Sequence, residues 1–418
     1  MGKPRIACIG AGSSGTCQMA FLERFTPGSV VAFCDLDRTL FDRFVSSRAY
    51  LEGDPTDATR IRTDFQEMPF YTDPDEMLEK EDIDTVLIAS YCSTHYEMVQ
   101  KCVRRGMNIL LEKPIAITEE DVEGCWNLLR DYPHAVTVNF SMRSAPVSLA
   151  ARRHVRNGTI GRMVSVQYVN NVDYGDTYFR KWMRTRDKVG NLLLQKATHD
   201  FDIINSILGL RPVRVAAFGS RLVYGGKEPD DLTCDECGKK WTCPMSVYLL
   251  RAVAGRSLRP PHLRKCAYAG EIDIDDNHVV IIQYEGGVTA SYSQTFNAPA
   301  QGGQRGGYFI GTEGIMHLRY YGDFVESPQG QTLVGNSQID IRQYHEKAGS
   351  YIHEVYDWGG HVHFDGTNKG IMAKLDLLCG RPAEVANTIE EGYVSAKMCL
   401  AAQESIETGA VVTLELNL

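Results

Sequence analysis

The sequence predicts an α/β chain in two parts: a unit built on a parallel sheet, then an α+β unit with a large, open, mainly antiparallel sheet. Three observations carry this. Short apolar, β-branched runs alternate with helix-length stretches over the first third of the chain. A glycine-rich hexapeptide sits at the first strand-to-helix turn. Beyond about residue 135 the strand-like runs follow one another at hairpin-sized spacing. Strands separated by helices make βαβ units and a parallel sheet, whereas hairpin-linked strands pair antiparallel.

Taken in order, residues 5–9 are apolar and bounded by glycines, as a first strand, and 16–24 are helix-like. Strands follow at 29–34, 85–89 and 108–111. Residues 119–130 form a helix with an acidic first turn and Thr118 as N-cap. In the second part, 163–170, 213–218, 279–284, 288–295 and 308–311 read as strands, with Glu285-Gly286-Gly287 as a tight turn between two of them. A helix at 197–208 interrupts the series, and 389–408 is a long helix near the C-terminus. The Gly/Gln/Ser-rich stretches 301–307 and 327–336 read as loops. The division is 1–133 for the nucleotide-binding unit and 134–418 for a substrate-binding and oligomerisation unit, with a Cys-rich insertion at about 230–266.

Length and charge narrow the function classes. A chain of 418 residues exceeds one ordinary core. A net charge of −9 without any basic run argues against nucleic acid as partner. No stretch approaches the roughly 18 apolar residues that span a bilayer. The N-terminus enters its first strand with no signal-peptide pattern, so a cytoplasmic location without a membrane partner is expected.

Gly10-Ala11-Gly12-Ser13-Ser14-Gly15 ends the first strand and opens the first helix. The first glycine permits the tight turn, the second lets backbone approach a pyrophosphate, and the third allows close helix–sheet packing. The phosphates then rest on the helix N-terminus. Strand two ends in Cys34-Asp35-Leu36-Asp37, placing Asp35 about 20 residues past the last glycine, where a carboxylate accepts both adenosine-ribose hydroxyls and repels a 2′-phosphate. This is a Rossmann nucleotide site that favours NAD. Arg38 keeps NADP as the less favoured alternative.

Asn108-Ile109-Leu110-Leu111-Glu112-Lys113-Pro114 puts Lys113 at the carboxyl end of a parallel strand, where open α/β sheets bind ligands. Partly desolvated there, a lysine has a lowered pKa and can exchange a proton with a substrate hydroxyl. A surface ion pair is the alternative on spacing alone.

At these residues the chain resembles the Gfo/Idh/MocA oxidoreductases, named for glucose–fructose oxidoreductase and inositol dehydrogenase. The resemblance covers essentially the whole chain. It is carried by Gly10–Gly15, Glu112-Lys113-Pro114, and His95 after Ile88-Ala89-Ser90. Further carriers are Asn157-Gly158-Thr159-Ile160-Gly161, Thr198-His199-Asp200-Phe201-Asp202 and Gly311-Thr312-Glu313-Gly314. It implies hydride transfer between nicotinamide and a hydroxyl carbon of a sugar or cyclitol, and a homodimer or homotetramer. It also implies that Lys113 and His199 form the proton-transferring pair, a task suited to a histidine near neutral pH. Ser90, His95 and Glu112 join the glycine loop, Asp35, Arg38 and Lys113 on the cofactor side. The family often has aspartate where Gln195 stands, so an Asp–His relay is in doubt. Glutamine is no base, and Gln195 is assigned to substrate positioning. Asp202, one turn on, orients the helix. Lys196 is a further candidate of unknown direction. His95 has an equal alternative as an ordinary helix-start residue.

Tyr174, Tyr178, Arg180, Trp182, Arg184 and Arg186 crowd just before this segment. Aromatics stack on sugar faces and arginine forks bind anions, so Tyr178, Arg180, Trp182 and Arg184 are expected to contact a sugar or glycoside, an anionic one if the arginines face it. The alternative is that the arginines anchor the loop. Cys234, Cys237, Cys243 and Cys266 have spacing suited to a closed structural zinc site, against the alternative of reduced structural thiols.

The function expected is NAD-dependent oxidation of a sugar hydroxyl, at C3. Two alternatives stand beside it. One is a redox-assisted glycosidase that passes through a 3-keto intermediate with elimination, hydration and re-reduction. The other is an NAD-binding regulatory protein, which has no need of Lys113 and His199 together.

Overall fold

The computed structural model describes residues 3–47, 64–254, 259, 261–299, 302–320, 324–327, 330–333, 336–345, 351–357, 366–383 and 387–418. Its first unit runs β1 (Ile6–Ile9), α1 (Ser13–Phe25), β2 (Val30–Cys34), α2 (Thr39–Ser47), β3 (Phe70–Tyr71), α3 (Pro74–Lys80), β4 (Thr85–Ile88), α4 (His95–Arg104), β5 (Asn108–Leu111), α5 (Glu119–Leu129) and β6 (Val136–Val138). The strands form one parallel sheet in the order β3-β2-β1-β4-β5-β6. All four β1 residues are buried, as in a sheet covered by helices on both faces. Thr118 caps α5 as expected, its side chain accepting from the Asp121 N–H. β6 lies beyond the expected boundary at residue 133, so the parallel sheet takes its last strand from the segment assigned to the second unit.

The second unit runs α6 (Pro146–Arg156), β7 (Met163–Asn171), α7 (Arg186–Val189), α8 (Thr198–Leu208), β8 (Pro212–Ser220), α9 (Val247–Ala254), β9 (Asn277–Tyr284), β10 (Thr289–Thr295), β11 (Gln304–Gly311), β12 (Gly314–Arg319), β13 (Phe324–Ser327), β14 (Gly330–Leu333), β15 (Asn336–Gln343), β16 (Ile352–Asp357), α10 (Gly366–Leu378), α11 (Ile389–Thr408) and β17 (Val412–Thr413). Nine strands make one sheet, β16-β15-β12-β11-β7-β10-β9-β8-β17, antiparallel except for the β7–β10 pair. The turn at 285–287 joins β9 to β10; Gly286 and Gly287 both have positive φ, which this reversal needs. Two stretches read as loops contain strands: Gln304–Gly307 belongs to β11, and Gly330–Leu333 pairs with β13. Gly306 and Gly307 lie in β11 because a Cβ at either would stand about 2 Å from a neighbouring strand's carbonyl oxygen. Close backbone approach, not turn chemistry, explains these glycines.

Helices α6, α8 and α11 cover the inner face of this sheet, joined to α5 of the first unit in one apolar core. The outer face is apolar as well, exposing Val164, Phe218, Val279, Ile281, Tyr308 and Val355. Helix α10 returns to the first unit: Ile371 and Leu375 pack with Ile6, Cys8, Leu22 and Phe33. The two units are therefore sewn together at two places.

Candidate active site

The glycine loop has the geometry the sequence asks for. Gly10 has φ +96°, and a Cβ there would lie 2.3 Å from the Ala89 backbone. A Cβ on Gly15 would meet the Gly10 carbonyl oxygen at 2.0 Å, so only glycine lets α1 start against β1. Around Gly12, the residue preceding α1, nothing stands within 4 Å of an added Cβ. That open approach to the first-turn N–H groups of Ser13 and Ser14 fits a pyrophosphate. Asp35 follows β2 and faces the same loop. Burial raises its pKa, opposed by N–H groups from Asp37, Ala11 and Leu36. Arg38 is half-exposed, paired with Asp42 and stacked over Phe70 at 4.9 Å.

Glu112 and His95 both spend their polar atoms on the protein. Glu112 accepts from Ser14 Oγ and Asn139 Nδ2, both at 2.8 Å, from Gln18, and from the Lys113 N–H at 3.1 Å. Lys374 of α10 completes this network, donating to Asn139 Oδ1 at 2.6 Å and Gln18 Oε1 at 3.1 Å. The buried carboxylate thus ties α1 to the end of β5. His95 is completely buried; its Nδ1–H donates to the Pro114 carbonyl at 2.8 Å, and Nε2 faces the Ser90 carbonyl at 3.3 Å. It clamps the β4 and β5 ends together, which corrects its assignment as a cofactor contact. Ser90 keeps its hydroxyl on Thr94 at 2.8 Å.

Lys113 leaves the end of β5 and donates from Nζ to the Gln195 carbonyl at 2.7 Å. Burial, with Lys196 nearby, lowers its pKa against the opposing pull of Glu112. Gln195 lies in a single π turn, Leu193–Ala197, which runs straight into α8. Such turns leave a carbonyl unpaired with the helix ladder and are frequent at functional sites; here Lys113 takes that carbonyl. His199 is four residues on, at the start of α8, buried at 6% exposure with Phe140 edge-on at 5.9 Å. Lys113 and the π turn of Gln195 are thereby brought together at the carboxyl end of the parallel sheet, with His199 following at the start of α8. The Gln195 amide itself donates to Cys92 Sγ at 3.1 Å, so its side chain spends a donor on the protein.

The helix is held from below. Arg143 grips Asp202 with both Nε and Nη2, as expected for an orienting residue. Asp200 accepts from Arg305 Nε and Asn170 Nδ2 at 2.7 Å and from Tyr292 at 2.8 Å, anchoring α8 to the sheet.

The substrate-facing expectation divides. Arg180 and Arg184 are 0% and 1% exposed. Arg180 donates to Asp176 at 3.0 Å, to the Lys265 carbonyl at 2.9 Å and to the Met245 carbonyl. Arg184 donates to Glu271 and the Asp230 carbonyl at 2.5 Å and to the Cys266 carbonyl at 3.3 Å. Both anchor the Cys-rich excursion, so their assignment to an anionic substrate is corrected. Trp182 packs on Tyr91 at 4.7 Å, and Tyr178 packs edge-on to Phe296 at 5.1 Å. Tyr174, stacked on Tyr178 at 6.3 Å, accepts a hydrogen bond from Lys196, whose ammonium also lies 4.8 Å over the Tyr174 ring. Lys196 therefore points at the aromatic wall, a direction the sequence left open.

Cys234, Cys237, Cys243 and Cys266 line one cavity of about 20 Å³. Among the described residues, however, no group of three or more His, Cys, Asp or Glu side chains could hold a metal ion. The four are free thiols, and the expected zinc site is not supported. Among the described residues, no helix is long and apolar enough to cross a membrane.

Fold and site together define a nicotinamide-nucleotide oxidoreductase. Residues 4–140 match the profile of the oxidoreductase family with an NAD-binding Rossmann fold, and 148–317 match the GFO/IDH/MocA C-terminal domain. The chain belongs to the Gfo/Idh/MocA family. It is 28% identical over 311 residues to YteT of Bacillus subtilis (strain 168), an oxidoreductase by name, covering 65% of this chain and 73% of that one. It is 29% identical over 148 residues to inositol 2-dehydrogenase of Rhizobium meliloti (strain 1021), covering 34% of this chain and 42% of that enzyme. The fold matches levoglucosan dehydrogenase in complex with NADH and levoglucosan, with TM-score 0.69, 18% identity and 98% and 99% of the two chains covered.

Proposed function

We propose that this chain oxidises a hydroxyl of a sugar or sugar derivative, at C3, with NAD preferred over NADP. The observation that carries the reading is the hydrogen bond from Lys113 to the Gln195 carbonyl in the π turn that leads into α8 and His199, with Glu112 tying the same strand end to Ser14 of the glycine loop. The Gly10–Gly15 loop and the Ser13 and Ser14 N–H groups would hold the cofactor pyrophosphate, and Asp35 the adenosine ribose. When bound, NAD supplies the hydride acceptor. The protein's own part is proton handling. Lys113, its ammonium pKa lowered by burial, takes the proton of the reacting hydroxyl, and His199, four residues beyond Gln195 at the start of α8, is assigned as its partner for that transfer. The buried floor of α8 excludes water from the helix side. Support for a sugar comes from inositol 2-dehydrogenase and the levoglucosan complex among the similar proteins.

A second reading, redox-assisted elimination and hydration, is favoured by one finding. The chain is 24% identical over 164 residues to 2,7-anhydro-N-acetylneuraminate hydratase of Mediterraneibacter gnavus. Sugars and aryl glycosides incubated with NAD separate the two: net NADH supports the dehydrogenase, and aglycone release without net NADH supports the second. A homodimer or homotetramer closed over the apolar outer face of the nine-stranded sheet, and a cytoplasmic location, complete the proposal. An exposed apolar face of that extent is the mark of an interface.

A further inference from the structure

A second cavity opens at the far end of α8 from Gln195, among α6, the segment entering β8 and the start of α11. At 1.5 Å per residue, its Gly209 lies about 15 Å along the helix axis from His199. The cavity measures about 290 Å³, near the lower size of pockets that take small organic ligands. Four guanidinium groups line it: Arg143, Arg152, Arg156 and Arg211. Arg143 is engaged, holding Asp202 through Nε and Nη2 and Glu391 through Nη1. Among the described residues, the side chains of Arg152, Arg156 and Arg211 make no hydrogen bond or ion pair, and the Nε of Arg152 is also shut off from solvent. A charged donor buried without an acceptor is a standing cost that an incoming oxygen removes. The carboxylates at the cavity do not answer these groups. Asp202 and Glu391 are taken by Arg143, and Glu391 also accepts the Thr388 N–H at 2.8 Å. Among the described residues, neither Glu390, which is exposed, nor Leu418 forms an ion pair with the arginines.

Arg152 and Arg156 stand four residues apart on α6, one above the other, where like charges repel. One turn earlier the same stripe carries Ser148, not a carboxylate. Two stacked guanidinium groups without a protein partner, joined by a third from Arg211, make a receptor for an anion. A carboxylate offers two oxygens, which one arginine fork satisfies, whereas a phosphate monoester offers three and a second charge. The volume leaves room for an organic group beside Ser206, Leu210 and Val394. We infer that this cavity is a second binding site, for the phosphate monoester of a small organic molecule, with Arg152, Arg156 and Arg211 on the phosphate. It does not depend on the oxidoreductase reading. Arg143, common to this wall and to Asp202, sets the site one contact from the helix that carries His199.

The test uses the full chain loaded with NAD, so that the phosphate-binding glycine loop is already filled. Calorimetry compares glucose 6-phosphate and glycerol 3-phosphate with glucose, gluconate and inorganic phosphate. At least one ester should bind about tenfold or more tightly than glucose and gluconate, the scale of one charge-assisted hydrogen bond, and more tightly than inorganic phosphate. Added salt should weaken it. Arg152→Gln and Arg156→Gln should each weaken the ester about tenfold and leave NAD affinity and melting temperature unchanged, because neither guanidinium holds a protein group. Amide exchange in α6 and α8 should slow when the ester binds. Should Arg152→Gln lose stability, the exposed Arg156→Gln carries the test alone. No binding of either ester overturns the inference, as does gluconate binding equally well. Inorganic phosphate binding as tightly as both esters would mean an adventitious ion only. Full ester affinity in both variants, or binding without slowed exchange in α6 and α8, would put the ligand elsewhere and overturn the site.

Discussion

Replacing Arg184 by alanine separates an anchoring arginine from a substrate-binding one. The side chain is 1% exposed and donates to Glu271, the Asp230 carbonyl and the Cys266 carbonyl. Leaving two buried carbonyls without their donor costs about 1–2 kcal/mol each, at the low end because water can enter the space. The Glu271 carboxylate is 38% exposed, so its ion pair adds under about 1 kcal/mol after solvent screening. The sum is about 3 kcal/mol, which lowers the melting temperature by about 3–4 °C in a chain of 418 residues. Thermal unfolding followed by circular dichroism measures it. Arg184→Lys should recover only part, because one ammonium cannot reproduce a fork aimed at three acceptors. KM for acidic and neutral sugars should move together. An unchanged melting temperature with KM raised for acidic sugars alone would refute the anchoring account.

Other outcomes follow from the same geometry. Lys113→Met should lower NADH formation by about 10²–10⁴-fold, the usual scale of a lost general base, while NAD still binds in a fluorescence titration. Wild-type turnover should rise with pH as the Lys113 ammonium deprotonates, with its midpoint below the ordinary lysine value; a flat profile contradicts its role. Asp35→Ala should weaken NAD and remove the penalty on NADP, narrowing their ratio of kcat/KM by about tenfold or more for the lost ribose contacts. Lys374 is buried and its pKa is lowered to about 8. Between that value and its ordinary one the unfolded chain binds the extra proton, so stability rises with pH from about 8 to 10. Urea titrations should show that slope, and Lys374→Met should flatten it.

How much of this was legible in the sequence depends on how local each cause is. Gly10, Gly12, Gly15, Asp35 and the Thr118 cap are read from spacing because their partners lie within one βαβ unit. Lys113 and His199 were legible as chemistry at a strand end and a helix start, although the Gln195 carbonyl that holds Lys113 was not. A π turn has no residue signature, and Lys196 could be given no direction without it. Arg180 and Arg184 misled because their acceptors sit on the far side of the Cys-rich excursion, at Lys265, Asp230 and Glu271. Residue type suggested anion binding, and burial decided for anchoring. The cysteine spacing indicated proximity, which the shared cavity bears out, but ligand geometry did not follow from it. Lys374 reaches the Glu112 network from a helix that follows eight of the nine strands of the antiparallel sheet, and no sequence signal marks it.

The most direct test of the central claim follows NADH formation and aglycone release in one tube, with NAD, neutral and acidic free sugars, and aryl glycosides. Stoichiometric NADH with a free sugar, lost in Lys113→Met, is the predicted result. Aglycone release that requires NAD yet leaves no net NADH would contradict it and establish the elimination pathway in its place.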